Sequence, residues 1–235
     1  MSLLSEFEAR TFWKYEPICG SFSTHPGLSA KVDEDGSFRP FAGSTVVFQL
    51  EKDDLTDITA AQAFLHEEVG DMLACPLPPS TLHMTLHDLV NPETATDCLN
   101  YAKCVHDSLT LATRFIEDIR RDYANHRIEM VADRVVNMVS KSVVLMLRSR
   151  TEEDFALLLE LYHRFDAIVP LSWPLTPHVT LAYFKPGRID GDRLSAAIAP
   201  IQPDANNPVT LTLDISALTA QRFEKMDRYY EVDMT

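Results

Sequence analysis

Thr81-Leu82-His83-Met84-Thr85-Leu86 and Thr176-Pro177-His178-Val179-Thr180-Leu181 agree at four of six positions, and each follows the same run of local signals. Ser44 to Leu50 is apolar and rich in β-branched residues, which reads as a strand. Ile58, Ala61, Leu65, Val69 and Met72 then recur at helical spacing, with Asp57 placed as an N-cap. The prolines of Cys75-Pro76-Leu77-Pro78-Pro79 stop that helix, and Thr81 to Leu89 forms the next strand. The order then repeats. Ser142 to Leu147 reads as a strand, and Phe155, Leu158, Leu159, Tyr162, Phe165 and Val169 mark a helix starting at Thr151. Its first turn holds Glu152, Glu153 and Asp154, which suits the positive end of a helix. Pro170, Pro174 and Pro177 break it before a strand from His178 to Phe184. Val46-Val47 falls on Val143-Val144 at an offset of 97, and His83 falls on His178 at 95. One small loop change accounts for that drift, so the chain reads as an internal duplication.

The remaining segments complete an outline. Pro92 to about Asn125 carries Leu99, Ala102, Val105, Leu109, Ala112, Phe115, Ile116 and Ile119 at helical spacing, as one long helix or two shorter ones. Ile128 to Val139 reads as a strand and Asp190 to Ile201 as a short helix. Val209 to Asp214, Ser216 to Arg222 and Tyr229 to Met234 read as closing strands. The expectation is an α+β fold: a bilobal pseudo-twofold duplication of two antiparallel sheets, with helices on the outer faces and a central cleft. Residues 1–42 are expected to form an extension packed on the domain, because Pro17, Gly20, Pro26, Gly27, Gly36 and Pro40 interrupt any periodicity. The first half then spans about 43–90, a helical insert about 91–126, and the second half about 128–235.

Both repeated hexapeptides place His-x-Thr on a strand, where residues i and i+2 share a face. His83 with Thr85, and His178 with Thr180, therefore point the same way over apolar neighbours that point oppositely. Related by a pseudo-twofold, they would bring two imidazoles and two hydroxyls around one cleft. That set suits a phosphodiester. One imidazole takes a proton from the attacking oxygen and the other protonates the leaving oxygen. The hydroxyls donate to the non-bridging oxygens as charge builds on them. With 18 threonines and eight histidines in 235 residues, roughly 0.6 His-x-Thr would arise by chance, so the matched pair carries the meaning. His106-Asp107-Ser108, alone in a helical stretch, is a decoy.

This pair resembles the hallmark of the 2H phosphoesterases, the LigT-like or 2′-5′ RNA ligase-like proteins, which carry one His-x-Thr/Ser and a following apolar residue per half. His83-Met84-Thr85-Leu86 and His178-Val179-Thr180-Leu181 match it, and Ala182-Tyr183 continues the likeness, which spans about Gly43 to Met234. The resemblance implies a bilobal α+β fold and metal-independent chemistry on 2′,3′-cyclic phosphates or 2′-5′ linkages, with no cofactor. It makes His83, Thr85, His178 and Thr180 the expected catalytic set. The extension and the long helical stretch depart from the family pattern and bear on the substrate.

Composition bounds the partners. Lys plus Arg is 21 against 35 Asp plus Glu, a net charge of −14, which repels long polyanions. The expected partner is a small phosphorylated nucleotide, and the leading function is its hydrolysis. RNA end-processing or ligation on a polymer is the second reading, if Arg120, Arg121, Arg127 and Arg134 make a local basic patch. A nucleotide- or RNA-binding module without turnover is the third. No apolar run is long enough for a membrane span. Met1 to Pro17 carries Glu6, Glu8, Arg10, Lys14 and Glu16 and lacks a signal-peptide core, so no membrane partner and a cytoplasmic location are expected. Cys19, Cys75, Cys98 and Cys104 lack ligand spacing and read as free, mostly buried thiols.

Other candidates for substrate binding flank the motifs. His87 extends the face of His83 and Thr85 as a rim histidine, or with His83 as a metal ligand. Its repeat counterpart is Ala182, and no further cluster completes a metal site. Regular alternation puts Phe184 on the catalytic face and turns Tyr183 away, although a bulge near Pro186 would reverse the two. Lys185 is placed to reach a phosphate.

Overall fold

The computed structural model describes residues 15–16, 19–95 and 97–232, so the readings of Met1 to Pro17 and of Met234 fall largely outside the described residues. Strand β1 (Tyr15–Glu16) and β2 (Ser21–Ser23) precede β3 (Gly43–Gln49), helix α1 (Lys52–Val69) and β4 (His83–Asp88). Helix α2 (Tyr101–Asp122) and β5 (Arg127–Met138) follow. The second half runs through β6 (Ser142–Ser149), α3 (Glu152–Asp166), β7 (His178–Tyr183), β8 (Arg188–Asp190) and α4 (Gly191–Ile198). It closes with β9 (Thr210–Asp214), β10 (Leu218–Lys225) and β11 (Arg228–Glu231).

The main sheet is antiparallel, in the order β1-β5-β6-β7-β4-β3-β10-β11, with β9 also on β5 and a separate pair β2-β8. Its two lobes meet at the pairing of Met84 with Val179. These two are each other's repeat counterparts, so the pseudo-twofold passes between them. β5 pairs β6 on one side of that junction, and β10 pairs β3 on the other. The stretch read as an insert, α2, precedes β5 just as α4 precedes the second half's closing strands. The helices cross over, since α1 packs beneath β7 and α3 beneath β4.

Local chemistry explains most boundaries. Thr151 caps α3 by accepting the Asp154 N–H, and Asn100 caps α2 by accepting that of Lys103. Helix α1 begins before the expected Asp57 cap, at Lys52, with no side-chain cap bond on Glu51. Cys98 lies in the loop ahead of α2, off the helix, and is bonded to Cys104 in a disulfide. Cys19 and Cys75 are exposed. The expectation of buried free thiols is therefore overturned, because Cys98 was read as part of a helix that starts three residues later. Leu28 and Val32 of the extension are fully buried. Each such side chain stabilises by about 1.5–3 kcal/mol, which holds residues 19–42 on the core. No described helix is long and apolar enough to cross a membrane.

Candidate active site

A cleft of about 400 Å³ opens over the junction of β4 and β7, within the size range of small-molecule sites. His83 and Thr85 line it from β4, and His178 and Thr180 line it from β7. With Met84 opposite Val179, antiparallel register sets His83 across from Thr180 and Thr85 across from His178. The paired motifs are thus brought to one face about the pseudo-twofold. Thr45 of β3 and Ser142 of β6, also repeat counterparts, add two further hydroxyl residues to the lining.

A β-bulge follows each motif. Val46 pairs His87 while Val47 pairs Thr85, and Val143 pairs Ala182 while Val144 pairs Thr180. The extra residues are Leu86 and Leu181, and each bulge inverts the alternation beyond it. The two strands consequently show the same burial sequence, position for position. Asp88 and Tyr183 turn into the cleft. His87 and Ala182 turn beneath the sheet, and Phe184 is fully buried.

Three expectations are corrected by that geometry. His87 is no rim residue: its Nε2 lies 3.2 Å from Asp166 of α3 and its ring packs on Tyr162 at 4.9 Å. It points away from His83, so the two cannot share a metal. Phe184 packs in the core against Phe22 at 5.7 Å, and Tyr183 takes the cleft position instead. The bulge responsible sits at Leu181, ahead of the Pro186 position considered from sequence. Lys185 is absent from the cleft lining; its backbone N–H donates to the Met72 carbonyl, and its charge acts on Asp35 and Asp71. Among the described residues no three His, Cys, Asp or Glu side chains converge on a metal-sized site.

The two imidazoles sit in different surroundings. Burial pushes the His83 pKa down to about 4, the Thr81 carbonyl works against the shift, and the charge of His178 adds to it. The His83 Nδ1 is buried without a hydrogen bond, and the ring meets Tyr229 edge-on at 4.9 Å. His178 Nδ1 instead lies 2.6 Å from the Thr176 carbonyl, to which it donates. That bond sets the tautomer of the ring. The Tyr183 hydroxyl donates to Met226 Sδ at 3.3 Å, and burial raises the pKa of both Tyr183 and Tyr229.

Sequence reasoning missed several lining residues: Tyr229 and Met226 at the β10–β11 hairpin, Trp173, and the charged trio Lys31, Glu93 and Lys141. Asp88 was within reach, because it is the repeat counterpart of Tyr183 at the same offset of 95 as the histidines. Tyr229 lies in a stretch read only as a closing strand, and the others come from segments with no periodic signal.

A family model of the 2H-phosphodiesterase type, described as a domain of unknown function (DUF1868), matches residues 31–99, which include the first motif. No curated protein matches the chain. A solved structure of a conserved protein of unknown function from Agrobacterium tumefaciens is similar at 18% identity and a TM-score of 0.62, covering 90% of this chain and 93% of that one. It shares the fold. E. coli LigT in apo form is similar at 13% identity and a TM-score of 0.49, over 83% of this chain and 96% of that one. LigT complexed with 3′-AMP gives 14%, 0.48, 82% and 96%. Over residues 31–99, which hold the first motif, the chain is thus similar to the 2H-phosphodiesterase family model, and a twin of that motif lies on the symmetry-related strand.

Proposed function

We propose that the cleft cleaves a phosphodiester in a small nucleotide, a 2′,3′-cyclic phosphate or a 2′-5′ linkage. The observation that carries this reading is the convergence of both His-x-Thr pairs on one cleft about the Met84–Val179 pair. His83, whose pKa of about 4 keeps it neutral at physiological pH, is the base that removes a proton from the attacking water. His178, with Nδ1–H held by the Thr176 carbonyl, is the acid that protonates the departing ribose oxygen from Nε2. The water oxygen bonds to phosphorus, the P–O bond to the ribose breaks, and a phosphomonoester and a free hydroxyl remain. Thr85 and Thr180 donate to the non-bridging oxygens as negative charge grows there.

The polymer reading loses its supposed basic patch. Arg120 donates to the Ser216 and Leu218 carbonyls, while Arg121, Arg127 and Arg134 pair with Asp118, Asp214 and Asp133. These arginines are occupied, and the net charge of −14 opposes a long RNA. A panel of 2′,3′-cyclic mononucleotides, 2′-5′ dinucleotides and cyclic-phosphate-ended oligonucleotides, with products followed by phosphorus NMR, tests the proposal. Cleavage of a small member by the wild type and its loss in His83→Ala supports it. Turnover confined to the oligonucleotide, or none at all, overturns it.

A further inference from the structure

Three segments far apart in sequence meet at the cleft. Lys31 comes from the extension, Glu93 from the loop after β4, and Lys141 from the tip of the β5–β6 hairpin; all three line the same cavity as the motifs. One Glu93 oxygen lies 3.4 Å from Lys31 Nζ and the other 3.0 Å from Lys141 Nζ. The lysine side chains are only 14% and 20% exposed. Burial works to raise the Glu93 carboxyl, and the two ammoniums outweigh it, so its pKa sits below the ordinary value. Asp88 is the other carboxylate in the lining, and the ion pairs of both lysines run to Glu93. Two cations share one anion, and one positive charge is left over. Both lysines are half-buried, where an excess positive charge draws an anion more strongly than in open water.

The backbone holds this arrangement at a cost. The turn from Met138 to Lys141 has both central residues in the left-handed region, Val139 at φ 46° and Ser140 at φ 53°. A β-branched residue is strained there, and strain of this kind persists only where neighbours enforce it. The Ser140 N–H donates to Asn137 Oδ1 at 3.0 Å, and the Ser140 carbonyl accepts the His25 N–H at 2.9 Å. The Lys141 carbonyl accepts the Phe184 N–H at 3.1 Å. Glu93 is set as firmly, its N–H donating to Asn91 Oδ1 at 2.8 Å. Lys31 lies over the Phe41 ring, 4.6 Å from its centre.

We propose that Lys31 and Lys141 form an anion subsite for a second phosphate, so that the substrate is a nucleotide bearing a phosphomonoester or pyrophosphate besides the reacting diester. The inference rests on reading the cleft as a phosphodiester site. A phosphate entering between the ammoniums supplies the negative charge that Glu93 alone does not, and Glu93 keeps the lysines ordered beforehand.

The test is calorimetric titration, in phosphate-free buffer, of adenosine 3′-monophosphate against adenosine 3′,5′-bisphosphate. The wild type should bind the bisphosphate at least about tenfold tighter, as charge-assisted hydrogen bonds provide. The Lys31→Met/Lys141→Met double variant should lose that advantage and keep its monophosphate affinity within about twofold. Glu93→Gln, which removes the competing charge and keeps the shape, should enlarge the advantage. A purely structural tie predicts a lower Tm in all variants and equal losses for both ligands. That result, or a wild type with no preference or no binding, overturns the subsite. Turnover of a simple cyclic phosphate, measured alongside, separates the two claims. Cleavage without a lysine-dependent preference defeats the subsite alone, and the preference without cleavage defeats the catalytic reading alone.

Discussion

The β4 and β7 strands are copies in sequence, in burial and in the position of their bulges, yet their surroundings have diverged. On β7 the backbone freed at the bulge is satisfied from below, where buried Gln62 of α1 donates to the Leu181 carbonyl at 2.9 Å. On β4 the equivalent ground is held by His87, bonded to Asp166 of α3 and packed at a tilt against the Tyr162 and Phe165 rings. Above the sheet, Asp88 stands where the other half has Tyr183. The motif histidine of β4 meets Tyr229 edge-on and has its pKa pushed down by burial, whereas that of β7 donates from Nδ1 to the Thr176 carbonyl at 2.6 Å. Duplication supplies two matched histidines. In the proposed mechanism, only their unequal neighbours divide them into a base and an acid.

Removing either histidine should break this comparison most severely. His83→Ala and His178→Ala should each lower kcat by about 10²-fold or more with folding retained, because each deletes a proton-transfer group. Near-normal turnover in either, with circular dichroism confirming the fold, would end the assignment.

The pH profile sharpens the division of labour. Because His83 must be neutral, the acid limb of kcat/KM in the free enzyme should fall near pH 4, well below the ordinary histidine value of 6.5. The same depression acts on stability. An unfolded chain takes up the His83 proton near pH 6.5 while the folded chain resists until about 4, so stability is full above 6.5 and is lost as pH falls through that window. His83→Gln should therefore flatten the decline in Tm between pH 6.5 and 4. An acid limb at 6.5 in the wild type would assign the base role elsewhere.

Smaller effects are expected from the hydroxyls. Thr85→Ala and Thr180→Ala should each cost about tenfold in kcat, since one donor among several is lost and no proton transfer is interrupted. A loss equal to that of the histidine variants would give the hydroxyl a role beyond charge stabilisation.

The smallest effect on turnover belongs to His87. His87→Ala should leave kcat within about twofold while lowering stability by about 1–3 kcal/mol, the cost of an opened buried hydrogen-bond site. Activity should also survive EDTA, because His87 lies beneath the sheet and cannot join His83 on a metal. Loss of activity with chelator and recovery with zinc would contradict that geometry.

What the amino-acid sequence determined by itself is what short-range periodicity controls. Alternation within a strand put His83 with Thr85 and His178 with Thr180 on common faces. Helical spacing and the Thr151 cap located α3, and the offsets of 95 and 97 exposed the duplication. The tertiary structure decided the rest. Whether Phe184 or Tyr183 enters the cleft depends on a bulge at Leu181, which is set by pairing with Val143 and Val144 some 37 residues away. His87 turned inward for the same reason at Leu86. Lys31, Glu93, Lys141 and Tyr229 share a cavity only because the extension, a loop and two hairpin tips fold over one sheet face. The residues of each motif are neighbours along the chain, so local geometry reveals them. The groups that make the two halves unequal are neighbours only in space, where packing across distant segments chooses them.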